Sequence, residues 1–347
     1  MDPNVDARPA AMQDTPTTIP LLERFPRLAE RVQRLPLARL PTPVERLPLD
    51  GADAWIKRDD LTGEAYGGNK VRKLEFLLPE ARAAGATRLI TIGAYGSHHA
   101  LATTVYGRAA GFDVTVVLGP QEMTPHVQEV LDAMRAHGAE VRMVGNFAAA
   151  AAGVAAAKLA HRRERVRLIA PGGSDPIGTL GYVNAALELA AQCRAGLCPV
   201  PREIHVAGGT MGTAAGLALG ALLAELPTIV VAHRITSRVI TNRRAARVLV
   251  DGALRLLREA DPAARLPDRL DVRPRLRIEH DQIGRGYGYA TDAGAAARRW
   301  LEEHGGIGLD QTYTAKAAAG FMSAVRRAPG PMLYWHTLSA VNPTRAV

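Results

Sequence analysis

The feature that most limits what this chain can fold into is a repeated alternation of short β-branched runs with longer helix-forming segments. Runs rich in Val, Ile and Leu fall at 88–93, 114–118, 140–144, 166–170, 203–207, 228–232, 276–279 and 332–336, most of them bounded by Gly or Pro. Segments of helical periodicity separate most of them. This rhythm predicts parallel strands covered by helices on both faces. The expected fold class is α/β, built as two interleaved doubly wound parallel-sheet domains. The expected segmentation is a disordered arm over 1–18, a large domain from 19–75 and 176–347, and a smaller α/β domain over 76–175. In such folds ligands bind at strand-to-helix turns beyond the carboxyl ends of the strands.

The most informative of these turns follows Trp55-Ile-Lys-Arg-Asp-Asp and runs through Gly67-Gly68-Asn69-Lys70. Asn69 suits a helix N-cap, and Val71, Leu74, Leu77 and Leu78 follow at helical spacing. Lys70 then sits where the helix dipole is positive, a poor place for an ammonium. The same field lowers an amine's pKa and attracts anions. The chain has 43 basic residues but only five lysines, so arginine is its default cation. A lysine here fits a covalent imine to an anionic cofactor; the plainer alternative is a solvated surface lysine.

Further turns offer chemistry. Gly208-Gly-Thr-Met-Gly-Thr-Ala-Ala-Gly216 joins small residues and two hydroxyls at a helix start, which suits an anion. Its glycines do not spell GxGxxG, and the next strand ends in Ala232-His233 without a ribose-binding acid. A monophosphate therefore fits better than a dinucleotide, with a purely structural turn as the other alternative. Ser97-His98-His99 meets neither the G-x-S-x-G elbow nor the i, i+4 spacing of a helical zinc pair. Tyr287, between glycines, and Tyr313, at a helix start, are phenols able to serve as acids or simply to pack.

Composition excludes several classes. The formal net charge of +9 comes from arginines spread along the chain, with aromatics at 5%, so nucleic-acid binding is not expected. A positive field does help to collect anionic substrates. Cys193 and Cys198 lack CxxC spacing and nearby His pairs, so neither a metal site nor a disulfide is expected, as in a reducing cytoplasm. The first residues read as no signal peptide, and the Ala-rich stretch 148–160 is too short to span a bilayer, so no membrane partner is expected.

Together these stretches resemble the 1-aminocyclopropane-1-carboxylate deaminase/D-cysteine desulfhydrase family of pyridoxal 5'-phosphate enzymes, with the tryptophan-synthase-β-like fold (fold type II). The similarity runs from about Leu21 to Thr337 and rests on Lys57-Arg-Asp-Asp, Gly67-Gly-Asn-Lys-Val-Arg-Lys-Leu-Glu75, Pro171-Gly-Gly-Ser-Asp-Pro-Ile-Gly-Thr-Leu-Gly-Tyr182, Gly286-Tyr-Gly288, Tyr313-Thr-Ala-Lys-Ala317 and His336-Thr337. The resemblance implies that Lys70 carries the cofactor and removes the substrate's α-proton. It implies that the Ala207–Thr213 turn, with Gly208, Gly209, Thr210, Met211, Gly212 and Thr213, holds the phosphate. Asn69, Ser97, His98 and His99 are the implied substrate contacts, and Ser97, Tyr287 and Tyr313 join Lys70 as implied catalytic residues. It further implies a small amino-acid substrate and a homodimer.

Deaminase members carry glutamate where this chain has Thr314, which resembles the desulfhydrase branch. A neutral hydroxyl at the ring nitrogen, Thr314 or Thr337, implies a weaker electron sink and suits expulsion of a β-leaving group. The expected activity is α,β-elimination from a small β-substituted amino acid to a 2-oxo acid and ammonia. β-Replacement, cyclopropane-ring deamination and racemisation are the alternatives. Two departures stand out. Ser97-His98-His99 replaces the family's Ser-Asn-His, and His336-Thr337-Leu338-Ser339 replaces its His-Thr-Gly-Gly. An imidazole at 98 could donate to the cofactor's ring oxygen, act as an acid–base group, or narrow the substrate pocket.

Overall fold

Hydrogen-bonded strands divide into two sheets in the computed structural model, which describes residues 18–343. The expected arm therefore lies almost wholly outside the described residues. The six-stranded sheet contains β1 (Val44–Arg46), β2 (Ala54–Arg58), β7 (Glu203–Gly208), β8 (Ile229–Arg234), β9 (Leu276–Glu279) and β10 (Met332–His336), in the order β1-β2-β10-β7-β8-β9. The four-stranded sheet, β5-β4-β3-β6, is built from β3 (Arg88–Ala94), β4 (Asp113–Gly119), β5 (Glu140–Met143) and β6 (Val166–Ile169). Its strands all come between β2 and β7 in the chain, so the sheets interleave in sequence.

Every pairing is parallel except β1 with β2, an antiparallel edge. Residues 47–53 make a connection too short for a crossover helix, so the chain can only double back. The α-helices of the described residues are α1 (Pro20–Arg24), α2 (Leu28–Arg31), α3 (Asn69–Ala83), α4 (His98–Ala109), α5 (Pro125–Ala136), α6 (Ala150–Ala160), α7 (Pro176–Arg194), α8 (Gly212–Leu223), α9 (Arg243–Ala260), α10 (Asp292–Gly305) and α11 (Thr314–Arg327). The central strands read as continuous apolar runs because both faces are buried: Val114, Val116, Val117 and Leu118 of β4 are each at most 1% exposed.

Much of the signature around Lys70 serves the fold. Lys57 Nζ donates to Thr42 O (2.6 Å), Glu188 Oε1 (2.6 Å) and Gln192 Oε1 (2.7 Å). The Arg72 guanidinium spans Asp59 (Nε–Oδ2 3.0 Å, Nη2–Oδ1 2.7 Å) and Glu188 (Nη1–Oε2 2.9 Å). Tyr182 and Trp335 also donate to Asp59 Oδ2, at 2.6 and 2.7 Å. Two cations and two carboxylates thus neutralise one another in the interior. Together they lock the first turn of α3 to β2, α7 and β10. This network fixes where Lys70 begins its reach.

Candidate active site

Helix α3 starts where expected, but its cap is Gly68, at φ 87°, and Asn69 is already helical. The expectation of Asn69 as N-cap is corrected: a Cβ on Gly68 would lie 2.7 Å from Thr337 O, so only glycine lets this turn pack on the strand end. The Asn69 side chain is thereby free to donate to Thr213 Oγ1 (3.0 Å), bridging α3 to α8. Ser339 accepts from the Gly67 N–H (2.8 Å), so this departure from the family pattern braces the turn.

Lys70 projects from that first turn into a cavity of about 720 Å³ between the two sheets. Among the described residues its Nζ makes no hydrogen bond and no ion pair. Burial pulls the amine down to about 8 from its usual 10.5. The cavity collects the turns after the strands: Ser97 beyond β3, Gly172 beyond β6, Gly209–Thr213 beyond β7, Thr236 beyond β8 and Thr337 beyond β10. Of the residues expected from sequence, Asn69, Lys70, Ser97, His98, His99, Gly209, Thr210, Met211, Gly212, Thr213, Tyr287, Tyr313, Thr314 and Thr337 all line it. Gly208 does not. It ends β7, packed toward Ala232 and the His233 carbonyl, and its own carbonyl accepts from Thr241 Oγ1 (3.0 Å).

Gly209–Thr213 forms a cup whose shape would suit an anion. Met211 takes the left-handed conformation (φ 67°) and gives α8 no side-chain cap; the Gly212 N–H donates instead to Ser174 Oγ (3.3 Å), and the helix start lines the cavity. A Cβ on Gly212 would come within 2.5 Å of Ser174 Oγ and 2.7 Å of Lys73 Nζ. Sequence reasoning missed Lys73 and Ser174 as parts of this cup. Lys73 donates to Gly172 O (2.9 Å) and Ser174 Oγ (3.3 Å), and Ser174 Oγ hydrogen-bonds Thr210 Oγ1 (2.7 Å). Burial, and then the neighbouring Lys70, hold the Lys73 amine well below its ordinary value, so an anion entering the cup would act against that shift and favour its protonated form.

Also lining the cavity, the Tyr287 and Tyr313 hydroxyls meet at 2.5 Å. Burial raises both, Tyr287 to about 12, which keeps them as phenols able to donate a proton at neutral pH. Ser97 caps α4, its Oγ accepting from the Ala100 N–H (3.2 Å). His98 is bonded on both sides within the protein. Its Nδ1 is bonded to Tyr66 Oη (2.6 Å) and its Nε2 to His126 Nε2 (3.2 Å). Neither nitrogen is left for a cofactor oxygen or for acid–base work, so the imidazole shapes the wall. Burial lowers it to about 4, and it stays neutral near pH 7. Sequence reasoning also missed Asp310, a buried carboxylate lining the same cavity.

The donor set fits a phosphorylated aldehyde: one free amine, one anion cup, and a cavity between them. Among the described residues there is no group of His, Cys, Asp and Glu able to hold a metal ion, and no helix long and apolar enough to cross a membrane. A family model described as pyridoxal-phosphate dependent enzyme matches residues 34–334. The chain is 36% identical over 313 residues to a nocardicin C-9' epimerase of Nocardia uniformis subsp. tsuyamanensis, covering 88% of this chain and 92% of the relative. It is 35% identical over 317 residues to a putative 1-aminocyclopropane-1-carboxylate deaminase of Pyrococcus horikoshii (90% of each). A D-cysteine desulfhydrase of Salmonella paratyphi A is 33% identical over 337 residues (91% and 94%). Among solved structures, an ACC deaminase homologue superposes with a TM-score of 0.78 at 32% identity, covering 93% of this chain and 95% of that one.

Proposed function

Because the chain belongs to the family of pyridoxal-phosphate dependent enzymes, we propose that it is a lyase that eliminates the β-substituent of a small amino acid, giving a 2-oxo acid and ammonia. The observation that carries this reading is the one cavity joining Lys70, the Gly209–Thr213 cup and the Tyr287–Tyr313 pair. When bound, the cofactor supplies a carbonyl for Lys70 and a ring that takes up negative charge from the substrate's α-carbon.

The protein's residues do the rest. The α8 N-terminus and the cup amides hold the phosphate, with the Lys73 amine beside them to take up a proton as the anion binds. Lys70, with its amine near pH 8, is the base for the α-proton, since an amine close to the working pH is free to accept one. Ser97 and the N-terminus of α4 receive the substrate carboxylate. Tyr287, or Ser97, gives a proton to the departing β-group; the Tyr287–Tyr313 contact holds the phenol in place. The same reading includes a homodimer, implied by the family resemblance. It also includes a cytoplasmic location, the compartment expected from the spacing of Cys193 and Cys198.

A second reading, inversion at the α-carbon without loss of the β-group, is favoured by the epimerase relative. The test is to incubate the holoenzyme separately with D-cysteine, L-cysteine and 1-aminocyclopropane-1-carboxylate, and to measure 2-oxo acid and ammonia. Equimolar release from one of them is the expected result. α-Hydrogen exchange with deuterated solvent but no release selects the second reading. Neither release nor exchange, with these and with a panel of larger amino acids, contradicts both.

A further inference from the structure

The wall carrying Asp310 and Thr314 contains a hydrogen-bond arrangement whose direction is fixed. Thr314 Oγ1 donates to Asp310 Oδ2 (2.6 Å), and accepts from the Asp310 N–H (2.8 Å). Its next nearest acceptor is the Asp310 carbonyl (3.4 Å), so either way its one proton is directed to Asp310. A hydroxyl has one proton and two lone pairs. What Thr314 can still offer the cavity is a lone pair, never a proton.

Asp310 is the charge behind that lone pair. Its Oδ1 accepts from the N–H groups of Thr312 (2.8 Å) and Tyr313 (2.6 Å), and its Oδ2 from the Thr314 N–H (3.1 Å) as well as the hydroxyl. All four partners donate, as an ionised carboxylate requires. It is 7% exposed and, among the described residues, forms no ion pair. The nearby Lys316 ammonium instead donates to the carbonyls of Ile283 and Gly286, each at 2.8 Å. A buried carboxylate lacking a cation calls for one. Thr337, the other hydroxyl available to a ring nitrogen, follows β10, and its carbonyl accepts from the Asn69 N–H (3.1 Å) beside Lys70.

We propose that Asp310, acting through Thr314, is a positioning pair that keeps the cofactor's ring nitrogen protonated. The inference rests on the pyridoxal-phosphate reading above and deepens it. A positively charged ring withdraws electrons more strongly than a neutral one, so Thr314 acts as a carboxylate relayed through a hydroxyl. This reverses the expectation that a hydroxyl at residue 314 weakens the electron sink. It gives this chain the means to hold the α-carbon's negative charge long enough to return a proton to it, as inversion requires.

The test is ¹⁵N NMR of holoenzyme reconstituted with ring-¹⁵N-labelled pyridoxal phosphate, since pyridine and pyridinium nitrogens resonate far apart. Wild type and Thr314→Ser should give the pyridinium signal, and Thr314→Val should lose it. Asp310→Asn is the sharper variant. Its oxygen can keep the Thr312 and Tyr313 N–H groups, while its NH₂ would donate to Thr314 Oγ1 and release the hydroxyl proton toward the ring. The expected result is a neutral pyridine with the fold retained by far-UV circular dichroism. A pyridine signal in wild type, or a pyridinium that survives Thr314→Val but is lost in Thr337→Val, would overturn the proposal. If Asp310→Asn does not fold, Thr314→Val decides alone. Failure of the underlying reading is separate: the wild-type protein would then bind no labelled cofactor at all.

Discussion

Replacing Arg72 by methionine should destabilise the protein far more than removing a surface arginine, and the structure sets the scale. The guanidinium makes five hydrogen bonds, to Asp59, Glu188 and Thr42, and is 1% exposed. Methionine fills a similar volume but leaves Lys57 alone against two buried carboxylates. Breaking a buried pair in this way costs about 3–5 kcal/mol. Glu188 gives an independent figure. Burial pushes its carboxyl up, but Arg72 and Lys57 more than reverse this, taking it from 4.5 to about 2. That difference corresponds to about 3 kcal/mol. Lys57 is pulled below its usual value by burial in spite of Glu188. Even so, its three acceptor partners are those an ammonium needs, so the pair is ionised and the linkage is best read from the carboxylate.

The sign follows from the direction. A carboxyl depressed in the folded state stabilises fully above its unfolded value, near pH 4.5, and loses that stabilisation as the pH falls toward 2. The gap between wild type and Arg72→Met, measured by urea unfolding at fixed cofactor concentration, should be full at pH 7 and shrink below pH 4.5. Arg247→Met, which removes an exposed pair with Asp251, should cost below about 1 kcal/mol. An Arg72→Met loss within about 0.5 kcal/mol of zero, the band of ordinary surface changes, would refute the argument.

Three further outcomes follow from the cavity. The rate at which apo-protein captures pyridoxal phosphate should rise with pH around a midpoint near 8, because Lys70 must be the free amine; stopped-flow absorbance checks this, and a midpoint near 10.5 would contradict it. Gly212→Ala puts a methyl group against Ser174 and Lys73. Overpacking of this kind costs about 1–3 kcal/mol, so cofactor affinity by equilibrium dialysis should fall about tenfold or more. His98→Asn should leave no acidic limb altered near pH 6–7 in the rate profile, since the imidazole is neutral there with both nitrogens bonded. A limb that vanishes on substitution would show that His98 titrates in the reaction.

What the sequence makes legible is local. Strand runs such as Val114–Leu118 declare themselves because burial on both faces leaves Thr115 as their one polar position, and Gly67-Gly68 before Asn69 announces a turn and a helix start. The cap moved by one residue because the decisive contact, Gly68 against Thr337 O, joins positions far apart in the chain. Partners of the same kind explain the other omissions. Lys57 and Glu188 lie 131 residues apart, and His98 meets Tyr66 and His126 from three separate segments. No periodicity relates them. Asp310 is different. An aspartate just before a helix is a readable capping signal, and following its side chain to Thr314 was within reach of the sequence.

The most direct test of the central claim is to reduce the holoenzyme with borohydride, digest it and locate the pyridoxyl group by mass spectrometry. Lys70 and Lys73 share one helix, line the same cavity and both have lowered amine pKa values, so the experiment separates true neighbours. A single label on Lys70 is expected, lost together with the visible cofactor band in Lys70→Ala. A label on Lys73 or Lys316, or a band that survives in Lys70→Ala, would contradict it.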